Sequence, residues 1–294
     1  MNTGYYTAVG TPLDQSGNLV RHSFRRHIED QLSEGASGLL IMGSMGMEPC
    51  IKESEYSLIA KDGAEAANGR CPVFVGAMDN SLSRVRKRVE SLEGLKIDGV
   101  VVTTPYFYTS TQEELVNFFK EIASFSPFPV YLYDLAVVTK VRIHPETVES
   151  LMSVENIKGI KTGDIITARR LLLSPARRAD FSILFSGLDI FDVAYKYGLR
   201  MNLDGMFACT APIAAKLYES LKADRHEAAA GYLDQILGLR GEFMKVGVFS
   251  GFSYAMKLLG YEGEFFPDYI QNSTKEDGEE FEGIKEYMKA VKLI

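Results

Sequence analysis

The sequence predicts an α/β chain folded as a (β/α)8 TIM barrel with a C-terminal helical extension. Three observations predict it. Short apolar runs rich in Val, Ile, Leu, Phe and Tyr recur along the first 223 residues, amphipathic helical patterns separate them, and successive runs start about 20–35 residues apart, the size of a βαβ unit. Strands covered by helices on one face and by a barrel core on the other read as continuous apolar runs, as these do. Eight repeats favour closure, and an open doubly wound sheet is the competing arrangement.

In order, the strands are expected at Gly4–Val9, Gly38–Gly43, Val73–Met78, Gly99–Thr103, Val130–Tyr133, Ile157–Lys161, Ser182–Ser186 and Gly205–Cys209. Each is followed by a stretch with apolar residues at helical spacing: Ser23–Ser33, Glu53–Ala67, Leu82–Leu92, Gln112–Ser124, Pro145–Met152, Ile165–Leu173, Ile190–Tyr197 and Ile213–Leu221. After about Ala223 the strand pattern stops. Arg225–Val246 and Ser253–Leu259 read as helices, followed by a polar, acidic segment around Lys275–Glu282. Residues 1–223 are therefore expected to form the barrel and 224–294 the helical extension, with no linker rich in Pro, Gly and Ser between them.

Composition removes several classes of function. The net charge is −7, which argues against nucleic acid as a partner, since such binding needs basic surface to displace counterions. No apolar run approaches the roughly 18 residues that a membrane span requires, so no membrane partner is expected. Cys50, Cys71 and Cys209 are scattered, as reduced thiols of a cytoplasmic protein would be, and the opening residues show no signal-peptide pattern. His22, His27, His144 and His226 lack metal-ligand spacing, so no metal is expected, and neither GxGxxG, GxxxxGK[ST] nor GxSxG is present.

In a barrel of this kind the active site lies at the carboxyl ends of the strands, which leaves few positions to consider. Lys161 ends Ile157-Lys158-Gly159-Ile160-Lys161, and alternation sends Lys158 and Lys161 to opposite faces, so one of them faces the barrel interior or its mouth. Burial favours the neutral amine of a lysine, and the neutral amine attacks a ketone to form an imine. Taken alone, a strand-end lysine reaching for solvent is the commoner occurrence. Tyr133 ends Val130-Tyr131-Leu132-Tyr133 and could carry protons beside an imine, or be a core tyrosine with a satisfied hydroxyl. Gly43-Ser44-Met45-Gly46 could converge amides and the Ser44 hydroxyl on a carboxylate, or be a plain tight turn. Thr103-Thr104-Pro105-Tyr106-Phe107-Tyr108 is an aromatic cluster that could serve as lid, interface or packing.

Taken in order, these segments resemble the dihydrodipicolinate synthase / N-acetylneuraminate lyase family of class I aldolases. Thr11-Pro12-Leu13 is similar to its TPF, Gly43-Ser44-Met45-Gly46 to its G-[ST]-T-G-E, and Thr104-Pro105-Tyr106-Phe107 to its TPYY. Tyr131-Leu132-Tyr133-Asp134 resembles its strand ending in YN, Gly159-Ile160-Lys161 its GIK, Ser186-Gly187-Leu188-Asp189 its SGxD, and Leu203-Asp204-Gly205 the [GA]xDG placed at the start of the last strand. The resemblance implies that Lys161 forms a Schiff base with pyruvate or another 2-keto acid. It implies that Tyr133 carries protons, and that Ser44 and the backbone of Met45 hold the carboxylate. Phe107, Thr162, Gly187, Asp189 and Cys209 then fall at substrate-binding positions. The imine is the electron sink, so no cofactor is implied. The family's quaternary pattern implies a homotetramer, a dimer of dimers in which an aromatic residue of one subunit reaches its neighbour's site.

Departures from the family pattern bear on the aldehyde partner. Phe107 stands where a relay tyrosine is usual, and Val138 where the dihydrodipicolinate synthases carry an arginine for the aldehyde's carboxylate. Ile190 follows Asp189 where sialic acid lyases have a second carboxylate. The expectation is an aldolase or lyase for a 2-keto-3-deoxy sugar acid or related hydroxy-keto acid. A dihydrodipicolinate synthase-like or N-acetylneuraminate lyase activity, a keto-acid dehydratase and a catalytically weak keto-acid-binding homologue are the alternatives.

Overall fold

Seven of the eight apolar runs become strands where the pattern places them, and the eighth does not. In the computed structural model, which describes residues 1–270 and 278–294, eight parallel strands close into a barrel in chain order. They are β1 (Gly4–Ala8), β2 (Gly38–Ile41), β3 (Val73–Gly76), β4 (Gly99–Thr103), β5 (Val130–Asp134), β6 (Ile157–Thr162), β7 (Ser182–Phe185) and β8 (Met201–Asp204).

The Gly205–Cys209 run is not the eighth strand. Met201–Asp204 pairs with β1 from Gly4↔Met201 to Thr7↔Asp204, and with β7 at Phe185↔Asn202. Gly205 and Met206 then turn, and a helix starts at Phe207 with a kink at Thr210. A short buried apolar run does not by itself distinguish strand from helix. What decides here is pairing: Met201 and Leu203 supply the side chains that fill the barrel, which commits the preceding four residues to the ladder. The motif Leu203-Asp204-Gly205 therefore closes the last strand rather than opening it.

The helices around the barrel are α1 (Arg21–Ser33), α2 (Glu53–Ala67), α3 (Leu82–Glu90), α4 (Gln112–Phe125), α5 (Ala136–Thr139), α6 (Pro145–Leu151), α7 (Ile165–Leu173), α8 (Phe191–Lys196) and α9 (Phe207–Lys222). Their starts follow local chemistry. Ser81 and Asp164 accept from the third amide of α3 and α7, and Thr111 with Glu114 forms a reciprocal capping box on α4. Beyond the barrel lie α10 (His226–Val246), α11 (Val248–Leu258) and α12 (Glu282–Ala290), with α10 packed along α9 and α12 against α10 and α11. Of the acidic segment Lys275–Glu282, residues 275–277 lie outside the described residues, and Glu279–Phe281 is a single 3-10 turn leading into α12.

Two apolar layers result. The larger lies between strands and helices, and the smaller fills the barrel with Tyr6, Ala8, Leu40, Phe74, Met78, Val101, Tyr131, Tyr133, Leu184 and Leu203. Phe74 and Tyr131 meet edge-to-face at 4.9 Å between ring centroids. Room for these rings comes from missing side chains: a Cβ on Gly38 would meet Tyr6, and one on Gly99 or Gly159 would meet Tyr131. Burial raises the Tyr131 phenol to about 12, so this floor is uncharged at neutral pH.

Candidate active site

Alternation on β6, beyond the register shift between Val130 and Tyr131, sets the lysines apart. Lys158 reaches outward to Asp180 at 2.6 Å, whereas Lys161 is 3% exposed and faces the barrel interior. Its register neighbour on β5 is Tyr133, whose hydroxyl accepts from Lys161 Nζ at 3.0 Å, with the nitrogen 4.2 Å from the ring centroid. The same phenol oxygen lies 3.1 Å from Ser44 Oγ, either atom being able to donate. The three candidate catalytic residues thus form one continuous hydrogen-bonded chain, although their elements are 89 and 28 residues apart in sequence. No ion pair among the described residues involves Lys161, so its nitrogen is tied to a phenol hydroxyl rather than to a carboxylate.

Ser44 reaches this chain because the segment after β2 turns sharply. Met42 and Met47 flank it with left-handed backbone, φ 51° and 58°. Met47 N donates to Ser44 O, and Thr11 Oγ1 to Gly46 O at 2.8 Å, which is the structural work of the Thr11-Pro12-Leu13 segment. Gly76 on β3 permits the turn, since a Cβ there would stand 1.9 Å from the Met42 carbonyl oxygen. Among the described residues the amides of Ser44 and Met45 have no protein acceptor, which leaves them available to an anion. The Met45 side chain lies over Gly205 at the end of β8 and touches the interior layer.

Other residues expected at the site are placed differently. Thr162 follows Lys161 and so points outward, where its hydroxyl donates to Asp134 Oδ2 at 2.9 Å and accepts from Asp164 N. It fixes β5 against β6 rather than facing the chamber. Cys209 is also out of the chamber. With residues 207–209 in α9 instead of a strand, its thiol turns to the helix layer, bonds Met206 O and borders a cleft with Arg26, Asp30 and Leu259. Burial pushes that thiol well above its ordinary range. Phe107 is 74% exposed on the loop after β4 and meets Tyr108 edge-to-face at 4.9 Å, so within this chain it does not touch the Lys161 chamber. Gly187 sits where a Cβ would strike Phe185 and come within 2.9 Å of Gly163 O, which lets the loops after β6 and β7 touch.

Asp189 stands at the rim, paired with Arg240 of α10 through two hydrogen bonds, one of them 3.0 Å. Asp204, at the end of β8, lies within electrostatic reach of Lys161, Arg240 and Asp189; burial raises its carboxyl, and the Met206 amide that donates to it opposes that shift. Arg240 has no sequence signal, being one arginine on an amphipathic helix 51 residues from Asp189. Asp204 was visible only as part of a motif.

Beneath the Ser44 turn lies a buried ionic cluster. Arg88 of α3 contacts Glu48 at 2.6 Å and Asp79 at 3.1 Å, and Arg84 contacts Asp79 at 2.7 Å. Next to Asp79, Asn80 Oδ1 accepts from the amides of Tyr106 and Phe107 at 2.9 and 2.8 Å. The cluster therefore joins the turn carrying Ser44 to the loop carrying the aromatic residues. Glu48 follows Met47, which stands at the position of the motif's glutamate.

The chain's relationships agree with this geometry. The family model for the dihydrodipicolinate synthetase family matches residues 1–284. The chain belongs to the dihydrodipicolinate synthetase family. Members of this family are enzymes of the lyase and condensing type that work through a Schiff base. The chain is 32% identical over 228 residues to a 4-hydroxy-tetrahydrodipicolinate synthase of Thermotoga neapolitana, covering 76% of each, and 30% identical over 244 residues to one of Shigella dysenteriae, covering 81% of each. Its fold superposes on the dihydrodipicolinate synthase of Thermotoga maritima with a TM-score of 0.89 at 25% identity, over 100% of both chains. A prophage protein of the same family from E. coli K12, solved in complex with pyruvate, matches with a TM-score of 0.88 at 20% identity over 100% of both chains. No helix among the described residues is long and apolar enough to cross a membrane.

Proposed function

We propose that this chain is a class I aldolase in which Lys161 forms a Schiff base with pyruvate or a longer 2-keto acid, reversibly cleaving a 2-keto-3-deoxy sugar acid or related hydroxy-keto acid. The observation that carries the reading is the hydrogen-bonded chain from buried Lys161 Nζ through Tyr133 to half-buried Ser44, spaced at 3.0 and 3.1 Å. The amine attacks the keto carbon, and Tyr133 passes a proton to the keto oxygen, which leaves as water. In the cleavage direction the C4 hydroxyl gives its proton to the Tyr133 oxygen, the C3–C4 bond breaks, and its electrons enter the iminium to give an enamine. Protonation at C3 and hydrolysis return the lysine and release pyruvate. Ser44 and the free amides of the turn hold the carboxylate throughout.

Substrate class rests on the rim. Val138, 56% exposed on α5, offers no charge to an aldehyde's carboxylate, whereas the Asp189–Arg240 pair offers donors and acceptors to a hydroxylated chain. The curated relatives named for dihydrodipicolinate synthesis favour a second reading, condensation of pyruvate with a carboxylate-bearing aldehyde. The chain is read as one subunit of a homotetramer in which Phe107 or Tyr108 meets a neighbouring subunit.

The test is borohydride trapping with pyruvate followed by peptide mapping, with Lys161→Arg as control, then a panel of 2-keto-3-deoxy acids assayed for pyruvate release. An adduct on Lys161 and pyruvate release from a sugar acid support the aldolase. Loss of water without pyruvate indicates a dehydratase, and no adduct at all refutes the Schiff base.

A further inference from the structure

One polar group in the barrel interior has no use in the steps above. Thr103 is the last residue of β4, and Val101, two positions before it, belongs to the interior layer, while Val100 and Val102 belong to the outer one. Alternation therefore aims the Thr103 side chain into the barrel. Register places it beside the catalytic pair: Thr103 stands opposite Tyr133, and Tyr133 opposite Lys161, so three adjacent strands present these side chains at one level. Thr103 is 2% exposed, and its Oγ1 is buried without a hydrogen-bond partner among the described residues.

A buried hydroxyl with no partner is costly, and most such groups in folded proteins are satisfied. The neighbouring Thr104 shows the ordinary outcome, its hydroxyl facing outward to Val141 O. A valine would fill the Thr103 position without that cost, as valine does at positions 100, 101 and 102 of the same strand. The orphan hydroxyl shares the register level of Tyr133 and Lys161, on the strand beside Tyr133. A 2-keto acid brings three oxygens into this chamber before its keto oxygen leaves as water, and the Ser44 turn and Tyr133 are placed to meet two of them.

We infer that Thr103 is a further substrate-contacting residue of the chamber, its hydroxyl pairing with an oxygen of the bound 2-keto acid. This rests on the Schiff-base reading and adds a specific requirement to it: the site selects an oxygen-rich small acid partly through a buried hydroxyl to which the described residues offer no partner. Discrimination built on such a group is strong, because a ligand lacking the matching oxygen leaves the polar atom unpaired.

The experiment is pyruvate trapping by borohydride across a concentration series, on wild type, Thr103→Val and Thr103→Ser, with thermal melting of each. The expected result is an adduct on Lys161 in all three. Half-saturation should rise about 5–50-fold in Thr103→Val and stay within about threefold in Thr103→Ser, while the free Thr103→Val protein melts at or above the wild-type temperature. Should valine prevent folding, Thr103→Ala is read in the same way. Wild-type half-saturation in a folded variant lacking the hydroxyl overturns the inference while leaving the Schiff base intact. Absence of any adduct in wild type overturns both.

Discussion

The amine of Lys161 and the phenol of Tyr133 lie 3.0 Å apart on neighbouring strands, both side chains at most 3% exposed. Because the two residues are register partners across the β5–β6 ladder, the distance is set by backbone pairing rather than by flexible loops. The Tyr133 phenol is thus placed by the ladder itself, whereas Ser44 arrives on a turn.

Tyr133→Phe removes one oxygen from the middle of this chain. The expected outcome is a fall in turnover of about 10²–10⁴-fold, the usual range for a lost proton carrier. The fold should be kept, because the ring still packs on the interior layer. Single-turnover pyruvate release and far-UV circular dichroism check it; a variant with wild-type turnover would remove Tyr133 from the mechanism.

Arg240→Met should affect long substrates most. Arg240 is paired with Asp189 of the loop after β7, so its loss is expected to lower kcat/KM by about 5–20-fold for hydroxylated six-carbon keto acids. The effect should shrink with chain length and be smallest for pyruvate trapping. A uniform loss across the series would mean that Arg240 only stabilises the fold.

Arg88→Met leaves Glu48 and Asp79 buried without their shared cation. Burial already pushes the Glu48 carboxyl well above its ordinary range against the pull of Arg88. Breaking a buried ionic cluster from one side costs about 3–5 kcal/mol, readable as a lower urea midpoint. Because the cluster joins the Ser44 turn to the Tyr106–Tyr108 loop, half-saturation by pyruvate should rise as well. An unchanged midpoint would show that the cluster is not a structural tie.

His27 gives stability a specific dependence on pH. Its ring is buried against Tyr261 and Phe265, neither nitrogen has a hydrogen-bond partner among the described residues, and burial lowers its pKa from 6.5 to about 3. Between those values the unfolded chain binds a proton that the folded chain does not, so stability falls as pH drops from about 6.5 towards 3. The slope from this residue is at most ~1.4 kcal/mol per pH unit. Denaturation at several pH values should show a shallower acid branch in His27→Leu, and an identical branch would reject the assignment.

Much of this is legible in the sequence. Apolar runs at βαβ spacing determine the barrel, and alternation sends one of Lys158 and Lys161 to its interior, because both are local rules; Lys161 and Tyr133 are singled out by the order of motifs, not by the pattern. Short-range patterns could not separate Gly205–Cys209 from a strand, and that one ambiguity carried Cys209 into the expected site. Thr162 was misplaced for a related reason: adjacency to Lys161 in sequence means opposite faces on a strand. The Asp189–Arg240 pair, the Glu48–Arg88–Asp79 cluster and the orphan hydroxyl of Thr103 were decided only by tertiary structure. Each depends on which side chains from distant elements meet, and on which meet nothing, and a linear pattern holds neither kind of information.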